Sequence, residues 1–296
     1  MSEHHPFRSI DAKEKCLAMF EAREKSNWPV KSEHLYVETS YGKTFVRAHG
    51  PVNAPHLVLL HGIGTNSLSW NHNIKDLSKE FRTYAVDIID DYGLSINTTP
   101  IKNSSDHVKW LDELFTKLGL KDNINIIGHS YGSWMASQYA LRFQKRLKKI
   151  VLIAPAATVL PIIFQFHIRH ILSLLPFRYF KESLFSWVDP TEKHKFEVKK
   201  QADLIAVSMK CYKPRYRVVR PTVLSDEDLK SLKCQAFFLF GEKERIYSPD
   251  KAMERLDNIA PHIKKVIIPG VGHMSILQSP LLNKKIIAFL EGQQIN

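Results

Sequence analysis

A chain of 296 residues, 44% of them hydrophobic, can bury a large apolar core in one domain that carries an insertion. Its three cysteines, Cys16, Cys211 and Cys234, are far apart and odd in number, so they suggest neither a disulfide framework nor a metal-ligand spacing, and reduced, packed thiols are expected. Of the formal charge of +12, over half falls in residues 158–222, with 12 Lys or Arg against 5 Asp or Glu; no nucleic-acid motif accompanies it, and a solvated basic face is expected rather than nucleic-acid binding.

Residues 1–9 lack the apolar run of a secretory signal, and no later stretch offers about eighteen uncharged apolar residues, so a soluble, cytoplasmic chain is expected. Residues 10–25 place Ile10, Cys16, Leu17 and Phe20 at helical spacing, which predicts an amphipathic helix of structural role against the body. Alternating apolar positions at 34–38 and 43–48 flank Tyr41-Gly42 and predict two antiparallel strands. The short apolar runs at 56–61, 83–87 and 123–127 have helical stretches between them and suit buried strands of a parallel sheet. Further strands are predicted at 149–154, 235–240 and 264–269 and a closing helix at 279–290, giving about eight strands.

Between residues 155 and 225 the alternation stops. Residues 161–176 are apolar almost all round, with a narrow polar stripe at Gln165, Arg169 and Ser173, so a helix there is expected to be covered on most sides. Residues 158–222 then form a helical cap (lid) inserted into a core of residues 1–157 and 223–296. A membrane-surface helix is the rival reading; its short length and Pro176 weigh against it, and membrane contact is not expected.

Chemistry concentrates in Gly128-His129-Ser130-Tyr131-Gly132, where a predicted strand runs into G-x-S-x-G and then into a helix-forming stretch at 133–143. Such a turn strains the serine backbone, and glycines two residues to either side remove the Cβ atoms that would collide. The hydroxyl needs a base within hydrogen-bond reach. Among fourteen histidines, His4, His5, His167, His170 and His194 read as surface or packing residues, and His129 projects elsewhere on the turn. His273, in the Gly-rich turn Gly270-Val271-Gly272-His273 after the last strand, is the candidate base. Its second nitrogen needs an acceptor, and the strand at 235–240 ends in Gly241-Glu242-Lys243-Glu244. Asp87 and Asp90 are weaker rivals, read as strand-end and turn residues, with Asp90 placed to cap the loop through Gly93. Backbone amides of Ile63, in His61-Gly62-Ile63-Gly64 after a strand, and of Tyr131 are the candidate oxyanion hole.

Taken in order, His61-Gly62, the Ser130 motif, the acidic loop and His273 resemble the α/β-hydrolase superfamily across nearly the whole chain. That resemblance implies a mostly parallel sheet flanked by helices with an inserted cap. It also implies an acid three residues past Gly241, which selects Glu244 over Glu242. Val58-Leu59-Leu60-His61-Gly62, the strand around Tyr84, and Glu244 with Ile246-Tyr247 resemble more narrowly the bacterial carboxylesterases that hydrolyse naproxen esters. The implied activity is serine carboxylester hydrolysis with Ser130, His273 and Glu244 as triad, on a small-molecule ester and without a metal or organic cofactor. A hydrophobic or aryl acyl group is expected from Phe164 and Phe166, with Leu174, Leu175, Phe177 and Phe185 as further apolar cap positions. Serine at the elbow argues against epoxide hydrolase and haloalkane dehalogenase chemistry, which uses a carboxylate nucleophile in this fold. Carbon-carbon bond hydrolase, perhydrolase and thioesterase chemistry stay open, as does a signalling or partner-binding protein with a retained triad. The sequence leaves the oligomeric state undetermined.

Overall fold

The computed structural model describes residues 5–175, 177–191, 195–213 and 218–294. His4, Pro176 and His194, singled out above, lie outside them. The core is a nine-stranded sheet: β1 (Glu33–Thr39), β2 (Gly42–His49), β3 (His56–Leu60), β4 (Arg82–Val86), β5 (Ile96–Asn97), β6 (Ile124–His129), β7 (Leu147–Ile153), β8 (Gln235–Gly241) and β9 (Lys264–Ile268). The spatial order is β1-β2-β4-β3-β6-β7-β8-β9, with the short β5 pairing β2. Pairs involving β2 are antiparallel, and every pair from β4 through β3 to β9 is parallel. The eight strands expected from apolar runs are all present; the ninth, β5, has two residues and no periodicity to reveal it.

Alternation explains why the central strands read as unbroken apolar runs. In β3, Val58 and Leu60 point into one buried cluster, while Leu57 and Leu59 point into the cluster on the opposite face. All four are fully buried, each worth roughly 1.5–3 kcal/mol relative to exposure. The covering helices are α2 (Ile74–Glu80), α3 (Ser104–Lys117), α4 (Tyr131–Phe143), α9 (Pro249–Ile259) and α10 (Pro280–Glu291), with α8 (Asp226–Ser231) leading into β8.

Between β7 and β8 lie α5 (Phe164–Ser173), α6 (Arg178–Val188) and α7 (Lys195–Cys211). The chain leaves and re-enters the core at one place, where the Leu224 amide donates to the Thr158 carbonyl at 3.0 Å. One expectation fails in this segment. Of α5 only Ser173 is buried, so the helix is not covered on most sides. Two residues of its polar stripe turn inward instead, while Gln165 stays exposed: Ser173 is buried, and Arg169 donates to Ser183 Oγ at 3.1 Å and sits over the Trp187 ring of α6.

The first helix, α1 (Ile10–Asn27), does more than lie against the body. Glu24 accepts from the fully buried Arg47 of β2 at 2.8 Å, which ties α1 to the sheet. Phe7 bridges Tyr212, just beyond α7, and Cys16 and Cys211 share one buried cluster as free thiols. Burial, and after it the neighbouring Cys211, pushes the Cys16 thiol up to about 12, so it stays protonated at neutral pH.

Candidate active site

Ser130 sits between the end of β6 and the start of α4 with φ 53° and ψ −110°, a left-handed conformation that is costly for a residue bearing a Cβ. Packing enforces it. A Cβ on Gly128 would collide with the backbone of Gly132, and one on Gly132 would collide with the Leu60 carbonyl of β3, so the turn closes only with glycine at both places. The Ser130 amide donates to Ile153 O at 2.9 Å, and its carbonyl accepts from Ser133 and Trp134. Nearby, Ala154 and Ala157 also have positive φ, so the strained backbone clusters at the carboxyl edge of the sheet.

Serine at a helix N-cap ordinarily bonds a first-turn amide. Ser130 makes no such side-chain cap bond, which forgoes about 1 kcal/mol of helix stability. Its Oγ faces His273 Nε2 at 2.8 Å instead. His273 Nδ1 in turn lies 2.6 Å from Glu244 Oε2. The other carboxylate oxygen, Oε1, accepts from the amides of Arg245 at 2.8 Å and Ile246 at 2.9 Å, which fixes the carboxylate in orientation. All three residues are buried. Glu242 is exposed, accepts from the Gly270 amide, and does not meet the imidazole. The remaining carboxylates of the sequence analysis go elsewhere. Asp90 meets His107 at 3.2 Å. Near Gly93, Asp87 accepts from Ser67 and Leu94, and a Cβ on Gly93 would come within 2.5 Å of its carboxylate.

The turn after β3 is held in a way that aims one amide. His61 Nε2 accepts from the Ile88 amide at 2.9 Å, which leaves its proton on Nδ1 to donate to Gly62 O, also at 2.9 Å. Thr65 Oγ1 donates to the same carbonyl at 2.6 Å. In a planar trans peptide the Ile63 N–H points opposite to the Gly62 carbonyl, so these donors turn it away from themselves. Asp91 fixes the next amide, that of Gly64, at 2.8 Å. Gly62 lies close to the Ser130 Cβ, and Ile63 and Tyr131 both line the cavity above Ser130. Tyr131 is the first residue of α4, where amides and the helix dipole favour negative charge.

Two further groups hold His273 from behind. His129 Nε2 bonds the His273 carbonyl at 2.9 Å, and burial, with the neighbouring His273 ring second, pushes the His129 imidazole down to about 3. A neutral His129 therefore donates this bond. Asp189, at the end of α6, accepts from the amides of Met274 at 3.0 Å and Ser275 at 2.5 Å, and Thr191 meets the Ser275 hydroxyl. Sequence reasoning missed Asp189, because it lies more than eighty residues from the turn it holds and carries no motif.

Above Ser130 and His273 lies a cavity of about 2210 Å3. Phe164, Phe166, Leu174, Phe185 and Trp134 are among its apolar walls, whereas Leu175 and Phe177 do not line it. One wall comes from α1, through Met19, Ala22 and Arg23.

A family model described as the alpha/beta hydrolase fold matches residues 55–169. The carboxylesterase YbfK of Bacillus subtilis (strain 168) is 32% identical over 95% of this chain and 96% of its own. The chain belongs to the α/β-hydrolase family. A second Bacillus subtilis relative, the uncharacterized carboxylesterase nap, is 33% identical over 90% of both chains. The crystal structure of naproxen esterase (carboxylesterase NP) from Bacillus subtilis superposes with a TM-score of 0.87 at 30% identity, covering 95% of this chain and 99% of that one. Among the described residues, no helix is long and apolar enough to cross a membrane.

Proposed function

We propose that this α/β hydrolase is a serine carboxylesterase acting on small-molecule esters with a hydrophobic or aryl acyl group. Ser130 Oγ attacks the ester carbonyl while His273 Nε2 takes its proton. Glu244 keeps the His273 proton on Nδ1 and stabilises the imidazolium, and the Ile63 and Tyr131 amides bind the oxyanion. His273 then protonates the leaving alcohol, and water resolves the acyl-enzyme by the same route. The observation that carries this reading is the unbroken chain from Ser130 through His273 to Glu244, at 2.8 and 2.6 Å, on the floor of a largely apolar cavity.

In the same reading, residues 158–222 are a cap on a core of residues 1–157 and 223–296, supported by the Thr158–Leu224 closure and by cap side chains among the cavity walls. Phe164 and Phe166 contact the acyl group there. A cytoplasmic location belongs to this reading too, and the three free cysteines accord with it.

Hydrolysis of a p-nitrophenyl ester series of increasing acyl length tests it. The expected result is multiple turnover that improves from acetate to longer or aryl acyl groups and is abolished in Ser130→Ala. One acylation without turnover would make the chain a binding protein with a retained triad, and full activity in Ser130→Ala would remove the mechanism.

A further inference from the structure

Helix α5 turns its apolar face to the outside. Phe164, Ile168, Ile171, Leu172 and Leu175 recur at the spacing of a single helix face, and all are exposed, Phe164 at 77% and Ile171 at 64%. Exposed Phe177 extends the face beyond the helix. Of the fifteen large apolar side chains exposed among the described residues, nine fall within residues 163–179. Scattered exposed apolar residues are ordinary, but a concentration of this kind marks an interaction surface.

Charge identifies what the surface fits. Residues 123–181 contain no Asp or Glu at all. The cations beside the apolar face are Lys181 on α6 and Arg178, which pairs with Glu182 and Asp203, while burial, with His167 second, pushes the His170 imidazole of α5 down. Residues 158–222 carry 12 Lys or Arg against 5 Asp or Glu. A second copy seated here would bring two basic segments together, which charge disfavours. An apolar helix face rimmed by basic residues has the make-up of a segment that lies in the headgroup boundary of an anionic bilayer.

We infer that α5 and the turn after it dock this protein on an anionic lipid surface. Crossing the bilayer is not involved, so the ten residues of α5 suffice. Phe164 and Ile171 belong both to this face and to the cavity walls, so the docked surface runs into the cavity mouth. An apolar ester held in the lipid then reaches Ser130 along apolar contacts. Docking stands apart from the esterase reading, because turnover of a water-soluble ester reports that reading alone.

The test is flotation of the full chain with vesicles of phosphatidylcholine alone or mixed with phosphatidylglycerol, at low and raised salt. Wild type is expected to float with the anionic vesicles, less with the neutral ones, and less as salt rises. The double variant Ile168→Asp with Leu172→Asp changes two side chains that do not line the cavity. It should lower anionic-vesicle binding by more than roughly tenfold while turning over p-nitrophenyl acetate as wild type does, which also shows that it folds. Wild type failing to bind anionic vesicles at low salt would overturn the inference. So would a variant that binds as wild type does, or light scattering that finds a dimer which the double variant dissociates, since a second copy would then cover the face.

Discussion

Replacing Glu244 by glutamine preserves shape and removes one charge, and the surroundings of the side chain determine the effect on catalysis. Oε1 receives two backbone N–H groups, from Arg245 and Ile246, and Oε2 faces His273 Nδ1. A glutamine must keep its carbonyl oxygen toward the two amides, because turning its NH2 there would orphan buried donors at about 1–3 kcal/mol each. The NH2 group then faces Nδ1 and forces that nitrogen to accept. The imidazole proton moves to Nε2, where it can no longer receive the Ser130 proton across the 2.8 Å contact. Loss of the correct tautomer at such a site costs about 10³ to 10⁴ in kcat, or about 4–5.5 kcal/mol on the barrier. Steady-state hydrolysis of a p-nitrophenyl ester should show that fall in kcat with KM little changed and Tm nearly constant. Glu242→Gln, at an exposed residue bonding only the Gly270 amide, should stay within about threefold of wild type. Activity of Glu244→Gln within roughly tenfold of wild type, or loss of activity in Glu242→Gln, would refute the reasoning.

Asp189→Ala removes the acceptor for two buried amides in the His273 turn and should cost about 2–5 kcal/mol of stability in urea unfolding, with kcat falling more than KM changes; Asp189→Asn, which keeps an acceptor oxygen, should restore most of both, and equal behaviour of the two variants would deny Asp189 a positioning role. Gly132→Ala drives a Cβ into the Leu60 carbonyl and should destabilise by more than about 3 kcal/mol, whereas Gly119→Ala, with φ 77° and nothing within 4 Å of its added Cβ, should cost only about 1 kcal/mol of backbone strain. Burial, with Arg47 second, pushes His49 down to about 4 from an ordinary 6.5, so the unfolded chain takes up the proton first as pH falls. Stability from neutral His49 is therefore full above pH 6.5 and lost progressively toward pH 4, amounting to about 3 kcal/mol. His129 acts in the same direction. A urea midpoint that stays constant from pH 7 to about 4.5 would contradict this.

The sheet was legible because strands buried on both faces, such as β3 and β8, are nearly continuous apolar runs bounded by turn residues. The serine turn was legible because its motif is local, and Gly128 answers a steric demand made within the turn itself, although the demand on Gly132 comes from the Leu60 carbonyl of β3. Other features depend on what meets across the fold. The stripe of Gln165, Arg169 and Ser173 was visible, but the side Arg169 took was set by Ser183 and Trp187 on another helix. Asp189 and the cavity wall supplied by α1 depend on packing between segments distant in sequence, which no local pattern encodes. The choice between Glu242 and Glu244 rested on the superfamily's habit; in the folded chain, the amides of Arg245 and Ile246 turn Glu244 inward.

The central claim is that Ser130 carries the acyl group. Stopped-flow mixing of the protein with excess p-nitrophenyl ester, then acid quench and peptide mass mapping, tests it most directly. The account predicts a burst of about one equivalent of p-nitrophenolate per chain and an acyl adduct on the peptide bearing Ser130, both absent in Ser130→Ala. An adduct on another residue, or a burst that survives Ser130→Ala, would contradict it.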